Sequence, residues 1–271
     1  MLQVIQRFNW LRNVQLVAVL LCAALIKFYY STTSVNQLRW ILAPTATLVE
    51  LLTGTHFEFE SHAGYMSGDH TFLIAASCAG VNFLITAFLM LSLRKLWQDR
   101  GKVTRWSFIA SAAALAYFAT LLANTARISL ALQLRRTPLD IGLSPDQLHR
   151  LEGIVVYFGF LLVLFVVSER FGFARVASID EPVIPETSGW FSSLRHSLFP
   201  LLVYYAITLG APLANGAYRK GTDFWEHSVF VLVTPLLLVV PVMGLQFVLR
   251  RRLGSRHPAC NERRARTALF F

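Results

Sequence analysis

The sequence predicts an all-α polytopic membrane protein, a bundle of about six to eight transmembrane helices with a small extracytoplasmic β-hairpin. Hydrophobic residues make up 55% of the 271 residues and charged residues only 15%, whereas a soluble domain carries about 25% charged residues. Several apolar runs reach about 18 residues, enough to cross a hydrocarbon core of roughly 30 Å. These runs are too long for barrel strands and lack alternation of period two, so they predict helices.

Most of the apolar segments fit transmembrane helices, but one is ambiguous. The segment 38–54 contains Arg39, Pro44 and Glu50, and three alternatives stay open: it spans the membrane, lies in the interface or re-enters. Charge counting around it does not fix the side of the N-terminus. The clear segments are 14–30, 79–97, 106–134, 148–168, 197–214 and 228–250.

The stretch before Cys78 predicts a β-hairpin. Phe57-Glu-Phe-Glu alternates with period two and is typical of a strand, and Thr71-Phe-Leu-Ile-Ala is typical of a returning strand. Turn residues lie between them at Gly64 and at Ser67-Gly-Asp-His. The second strand would then deliver the chain to Cys78.

A basic loop between two spans predicts the orientation. Residues 94–105 are rich in Lys and Arg, and the positive-inside rule places such a loop in the cytoplasm. Cys78, Arg127 and His149 then meet at the outer face, where one span starts, the next ends and a third begins. Because the basic residues cluster at span ends and in the tail, topology explains the net charge of +10 without nucleic acid.

A thiol, a base and a fixed cation on one face are the parts of a cysteine nucleophile site. Cys78 is predicted at a helix start, where unpaired backbone amides and the helix dipole favour a thiolate. Ala79 and Gly80 are small enough for a substrate backbone to approach closely. The alternative is that Cys78 is a small buried hydrophobic residue. The cysteines lie far apart and form no CxxC pair, so we predict no disulfide and no metal site.

Arg127 lies within an apolar helix, where an arginine costs about 2.5–3.5 kcal/mol and is usually functional. Asn124, one turn earlier, is predicted to hold its guanidinium in place. Facing the site, Arg127 would stabilise a thiolate or the oxyanion of a tetrahedral intermediate. The alternative is an arginine that snorkels to the interface.

His149 lies near the start of the next helix and is the predicted general base. Ser144 or Asp146 is expected to cap that helix, with Pro145 in its first turn. Glu152, one turn later, is placed to orient the imidazole. A wet interfacial histidine is the alternative.

With these stretches in place, the chain resembles the exosortase/archaeosortase family of membrane cysteine transpeptidases. The segment from Leu38-Arg-Trp-Ile-Leu-Ala-Pro to Gly64-Tyr looks most like the exosortase K branch. The resemblance covers roughly residues 14–170. The motifs that carry it are Ser77-Cys-Ala-Gly-Val-Asn82, Asn124-Thr-Ala-Arg127-Ile and His149-Arg-Leu-Glu-Gly153. One departure is Ala79-Gly-Val after the cysteine, where the family more often has a Ser-Gly-Leu-like sequence.

The resemblance implies that Cys78 is the nucleophile, His149 the general base and acid, and Arg127 the thiolate or oxyanion stabiliser. Asn82, Asn124 and Glu152 are expected to support them. The implied substrates are membrane-anchored proteins with a C-terminal sorting signal, made of a short motif, a transmembrane helix and a basic tail. An unknown acceptor would receive them, for surface anchoring or export with exopolysaccharide. The expected location is a bacterial inner membrane with the site facing the periplasm, and no cofactor is expected.

The implied organisation has three parts. Residues 1–170 form the catalytic membrane domain, 171–196 a cytoplasmic linker, and 197–271 two additional transmembrane helices with a basic cytoplasmic tail. Arg135 and Arg136 lie on the predicted outer side. We hypothesise that they bind an acidic residue of the sorting motif, and lipid headgroup contact is the alternative.

Two other functions stay open. The first is a transporter or channel whose polar path is lined by Arg127, His149 and Glu152. Such proteins more often show inverted repeats and helices broken at the midplane, whereas here the polar residues lie at helix ends. The second is a non-catalytic assembly factor for polysaccharide export.

Overall fold

The computed structural model describes residues 2–99, 104–136, 142, 144–170, 190–214, 216, 219 and 223–254. The helices are α1 (Leu2–Thr32), α2 (Arg39–Thr53), α3 (Val81–Gln98), α4 (Trp106–Arg136), α5 (Pro145–Arg170), α6 (Trp190–Tyr205), α7 (Ala211–Ala214) and α8 (Asp223–Gly254). The strands are β1 (Phe57–Glu60), β2 (Gly64–Ser67) and β3 (Leu73–Ile74). Most of the predicted linker at 171–196 and the tail after 254 lie outside the described residues.

Five of the described helices are long and apolar enough to cross a membrane, so by length and composition the chain is an α-helical membrane protein. The predicted segment 197–214 corresponds to a shorter apolar helix, Leu198–Ala214, that contains a π-helical turn at Ala206–Gly210. The total of about six to eight spans therefore stays a prediction. The five candidate spans are Trp10–Thr32, Ala76–Gln98, Trp106–Arg135, Asp146–Ser168 and Phe224–Pro241.

α3 is the centre of the bundle. Its span is 72% buried inside the protein, compared with 17% for the span of α1. α3 packs against α1, α4, α5 and α6, and its buried residues are apolar on nearly every side, as expected for a helix enclosed by others. The residues that precede and begin α3 are therefore held by several neighbours at once.

The ambiguous segment 38–54 forms α2, which is too short for a full span. Its 15 residues rise about 22 Å, less than the roughly 30 Å of a hydrocarbon core. The chain then doubles back, because the Arg39 guanidinium near the start of α2 lies 4.5 Å from the Phe59 ring in β1. α2 also packs against α4 and β2. α2 and the sheet thus form one unit on the flank of α4.

The predicted hairpin is instead a three-stranded antiparallel sheet in the order β1-β2-β3. Gly64, predicted as a turn residue, begins the central strand β2, whose Tyr65 pairs with both Phe59 and Ile74. Gly64 has φ +134°, and a Cβ on it would collide with the Ile74 carbonyl oxygen. The glycine therefore permits a close backbone approach inside a sheet, which the turn interpretation of the sequence overlooked.

Candidate functional site

A cavity of about 320 Å³ opens where α3 begins, α4 ends and α5 begins. The C-terminal helices close its remaining side. Most of its wall is polar or aromatic, and Arg127 and His149 both line it. The lining residues are Tyr30, Ser77, Gly80, Val81, Asn82, Phe83, Thr86, Arg127, His149, Arg150, Gly153, Ile154, Tyr157, Tyr204, Thr208, His227 and Val231.

Arg127 and His149 form a direct hydrogen bond between α4 and α5. Arg127 Nη2 lies 2.9 Å from His149 Nε2. Because a guanidinium carries only donors, Nε2 is the acceptor and the imidazole proton is on Nδ1. The predicted meeting of these two residues is therefore a contact between their side chains, with a defined tautomer.

Glu152 lies behind the histidine, on the same helix. Its side chain is 3% exposed, and Oε2 is 3.8 Å from His149 Nδ1. That distance exceeds a hydrogen bond, but the carboxylate faces the nitrogen that carries the proton. Glu152 Oε1 is buried without a hydrogen-bond partner among the described residues. Glu152 is thus placed to orient the imidazole and to balance a positive charge on it.

The start of α5 is fixed by a reciprocal cap. The Gln147 amide donates to Ser144 Oγ at 3.2 Å, and the Ser144 amide donates to Gln147 Oε1 at 3.1 Å. Such a capping box satisfies amides that the first helical turn leaves unpaired. The prediction that Ser144 caps this helix is confirmed, and the cap fixes the turn that carries His149.

Tyr157 joins Arg127 to Asn124 and was missed in the sequence. Arg127 Nη1 donates to the Tyr157 hydroxyl at 3.3 Å, and the hydroxyl donates to Asn124 Oδ1 at 2.5 Å. The tyrosine ring stacks on Phe83 with 5.4 Å between centroids. Tyr157 follows His149 by eight residues on the same helix, and residues four apart share a face. That periodicity could have indicated it.

Asn124 supports the arginine indirectly, and it also fits closely against Gly80. The asparagine is fully buried, and a Cβ on Gly80 would lie 2.5 Å from its Oδ1. Gly80 has φ +66°, a left-handed conformation that glycine adopts without steric cost. Asn124 therefore fills the space beside Gly80 and links the start of α3 to the arginine network. The close approach of a substrate backbone at Gly80 stays a prediction.

Cys78 lies in a short 3₁₀ turn, Ala76–Ala79, and does not open α3 itself. Its amide donates to the Ala75 carbonyl at 2.9 Å, and α3 begins only at Val81. Cys78 was predicted at a helix start, and it lies three residues ahead of α3, in the 3₁₀ turn that leads into that helix. Gly80 bends the chain between the two helices because it adopts the left-handed conformation.

The thiol is partly exposed and lies near the arginine network. Cys78 interacts electrostatically with Arg127, Tyr157 and Tyr30. Its neighbours Ser77 and Gly80 line the cavity, whereas Cys78 is not among the lining residues. Within the described parts of the chain, no hydrogen bond joins its sulfur to His149. Arg127 and His149 are therefore assembled, and the thiol lies beside them.

Asn82 has a partner that the sequence did not indicate. Lys27 of α1 donates from Nζ to Asn82 Oδ1 at 2.7 Å, and the same Nζ lies 5.7 Å from the centre of the Tyr30 ring. The Tyr30 hydroxyl in turn donates to the Ala76 carbonyl at 3.3 Å. α1 thereby holds the turn that carries the thiol and places a lysine beside the cavity.

Arg135 is engaged within the protein. Its Nη1 donates to the Thr71 carbonyl at 2.6 Å, and its guanidinium lies 5.4 Å from the Phe72 ring. Arg135 thus ties α4 to the loop before β3, and its hypothesised contact with a sorting motif stays a prediction. The side chain of Arg136 lies outside the described residues.

The described parts of the chain contain no cluster of three His, Cys, Asp or Glu side chains that could hold a metal ion. Comparison of the chain with protein-family models, with curated proteins and with solved structures finds no match. The interpretation of the site therefore depends on its geometry and chemistry.

Proposed function

We propose that this protein is a membrane cysteine peptidase or transpeptidase of the exosortase/archaeosortase type. The observation that carries the proposal is the 2.9 Å bond between Arg127 and His149, beside the turn that presents Cys78. A neutral histidine, a fixed cation and a thiol are the components of nucleophilic acyl transfer. Burial of Asn124 and Glu152 behind them supports a pre-arranged site, because preorganised groups avoid reorganisation during the reaction.

The proposed reaction has two steps. His149 takes the Cys78 proton, and the thiolate attacks the scissile carbonyl to give an oxyanion that Arg127 stabilises. The carbon–nitrogen bond then breaks, and the leaving amine takes the proton from His149. An acceptor nucleophile, or water, loses a proton to His149 and attacks the thioester, which releases the thiolate. The thiolate regains the proton, so atoms and charge balance over the cycle.

The proposed substrates are membrane-anchored proteins with a C-terminal motif, a transmembrane helix and a basic tail. A site where three helix ends meet suits a bond just outside a substrate helix, since the catalytic residues lie near the end of the span. We place the cavity and the sheet on the periplasmic side of a bacterial inner membrane, because the loop at 94–105 is strongly basic. The total of about six to eight spans belongs to this proposal.

Substitution of Cys78 tests the proposal. A tagged candidate substrate is co-expressed with the wild type, Cys78→Ala or Cys78→Ser, and its maturation is followed by immunoblot. Loss of the nucleophile is expected to lower processing by about 10³-fold or more. Cys22→Ala is the matched control, because Cys22 is an exposed cysteine on α1. Normal processing by Cys78→Ala would defeat the enzyme proposal.

A transporter is the second candidate, and the position of Cys78 favours it. The cavity is lined by Arg127 and His149 but not by Cys78, as expected if the polar groups serve passage of a solute rather than covalent chemistry. Transport would survive Cys78→Ala and fail with Arg127→Ala. An enzyme would lose function with both variants, so the pair of measurements separates the two candidates.

A further inference from the structure

The C-terminal helices supply one wall of the cavity. Tyr204, Thr208, His227 and Val231 all line it, although they follow the region of the sequence resemblance. Tyr204 packs edge-on against the Phe158 ring of α5, with 5.2 Å between centroids. The cavity is therefore not complete without this part of the chain.

A polar contact holds α8 at the mouth of the site. Gln147 Nε2, in the first turn of α5, donates to Glu226 Oε1 at 3.0 Å. Glu226 directly precedes His227 on α8. The position of His227 is thus set relative to the turn that carries His149 and Arg150.

The fixed charges on the cavity wall are positive. Arg127 and Arg150 line it together with the imidazoles of His149 and His227, and no aspartate or glutamate is among the described residues that line it. Lys27 lies beside it through Asn82, while Glu152 is buried behind His149. Like charges around a partly desolvated cavity repel, and a bound anion relieves that repulsion.

We infer that His227, together with Arg150, binds an oxyanion of the substrate or acceptor, either a carboxylate or a phosphate. Charge-assisted hydrogen bonds from arginine and histidine suit such oxygens. The inference rests on the proposed function in that it takes this cavity as the place where the substrate binds. His227 is then a specificity-determining residue, and it explains why α8 completes the site.

Thiol labelling tests the inference without an identified substrate. The full chain with Cys22→Ser and Cys260→Ser is purified in nanodiscs, so that Cys78 is the remaining cysteine. The rate at which Cys78 reacts with each of two methanethiosulfonate reagents is measured and divided by the rate for a free thiol. The sulfonatoethyl reagent is anionic, and the trimethylammonioethyl reagent is cationic. We expect the anionic reagent to be favoured by about tenfold.

Variants at the cavity identify the source of that preference. Arg150→Gln should reduce it by about threefold because a fixed cation is lost. His227→Leu should reduce it by a similar factor because a hydrogen-bond donor is lost, and His227→Lys, which still donates, should retain it. Arg105→Gln is the matched control, because it removes a charge just before α4, away from the cavity. The inference is overturned if the wild type shows no preference, or if His227→Leu and Arg105→Gln behave alike.

Competition identifies the anion. Inorganic phosphate and acetate are each added at constant ionic strength, with chloride as the reference, and labelling by the anionic reagent is followed. If phosphate or acetate slows labelling more than chloride does, that ion identifies the type of oxyanion bound. If neither slows labelling more than chloride does, the inference is overturned. Labelling does not depend on substrate processing. The inference about the oxyanion can therefore fail while the enzyme proposal stands, and the reverse.

Discussion

The two ends of the α3–α4 pair carry polar clusters of opposite character. At the end away from the cavity, Lys95 Nζ bonds Asp99 Oδ1 at 2.7 Å, and Asp99 Oδ2 accepts from Thr104 Oγ1 at 2.8 Å. Gln15 of α1 donates to the Thr104 carbonyl at 2.5 Å. We call this set the closed cluster, and its only buried side-chain atom without a partner among the described residues is Gln15 Oε1.

At the other end lies the open cluster of Asn124, Arg127, His149, Glu152 and Tyr157. Asn124 Nδ2, Arg127 Nε and Glu152 Oε1 are buried without hydrogen-bond partners among the described residues, and three members line the cavity. Unsatisfied buried polar atoms cost about 1–3 kcal/mol each. The closed cluster thus pairs nearly all of its polar atoms, whereas the open cluster leaves three unpaired, of which Arg127 Nε belongs to a residue that lines the cavity.

Substitutions that remove one cation from each cluster test that difference most directly. Arg127→Ala should lower substrate processing by about 10²–10³-fold, because it removes the charge that is proposed to stabilise the oxyanion. Lys95→Met should instead lower the free energy of unfolding by about 3 kcal/mol, because it leaves the mostly buried Asp99 without its counter-ion. Processing per folded molecule and thermal stability are measured for both. The comparison fails if the two variants change the same quantity.

Substitution of Gly80 tests whether the open cluster needs the close contact between Gly80 and Asn124. Gly80→Ala should cost about 1–2 kcal/mol for the left-handed backbone and should reduce processing by about tenfold through displacement of Asn124. Gly54→Ala is the matched control, because Gly54 has φ +67° with nothing within 4 Å of an added Cβ. Stability should fall in both variants and processing only in Gly80→Ala. Equal processing would mean that the Asn124 contact is irrelevant to function.

Tyr157 tests the bridge inside the open cluster. Tyr157→Phe removes the hydroxyl between Arg127 and Asn124, which should reduce processing by about threefold to tenfold and stability by about 1 kcal/mol. Tyr117→Phe is the control, because it loses one hydrogen bond to the Trp40 carbonyl away from the cavity. If both variants process substrate equally, the bridge has only a structural role.

The smallest expected effect is at the sheet, outside both clusters. Hydrogen bonds from Ser67 and Thr71 lower the pKa of Asp69 from 3.8 to about 2. Because the folded-state pKa is the lower one, folding favours the carboxylate. Its contribution is complete above pH 3.8 and is lost as the pH falls through about 2.

Local hydrogen exchange of the loop after Ser67 measures this. The protection factor of the loop amides, which compares the exchange rate with the intrinsic rate at the same pH, should fall as the pH falls through that window in the wild type. In Asp69→Asn the protection factor should be independent of pH there. Asp69 is fully exposed, so the effect is confined to the loop and should leave processing unchanged. A wild-type loop whose opening does not respond to pH would contradict the assignment.

The apolar spans and the helix cap could be predicted from the sequence because each depends only on residues that are neighbours along the chain. The apolar runs gave the candidate spans, and the turn-rich stretch before α5 gave the Ser144 cap. The meeting of Arg127 with His149 followed from the ends of successive spans. These predictions needed no knowledge of how the helices rotate about their axes.

Other features depend on rotation and on close packing, which the sequence does not encode locally. Tyr157 and Lys27 are unremarkable within apolar runs until packing places them beside Arg127 and Asn82. Gly64 was predicted as a turn residue and Gly80 as a place where a substrate backbone approaches, whereas in the structure they fit against Ile74 and Asn124. The position of Cys78 ahead of α3, rather than in its first turn, depends on the left-handed backbone at Gly80.

The bond between Arg127 and His149 occupies the acceptor nitrogen of the predicted general base. Because Nε2 accepts from Arg127 and the other ring nitrogen carries the imidazole proton, His149 has no lone pair left for the Cys78 proton while this bond is formed. The proposed first step therefore requires the guanidinium to move away from Nε2. In this structure the proposed base and the proposed oxyanion stabiliser are assembled, but each is engaged with the other.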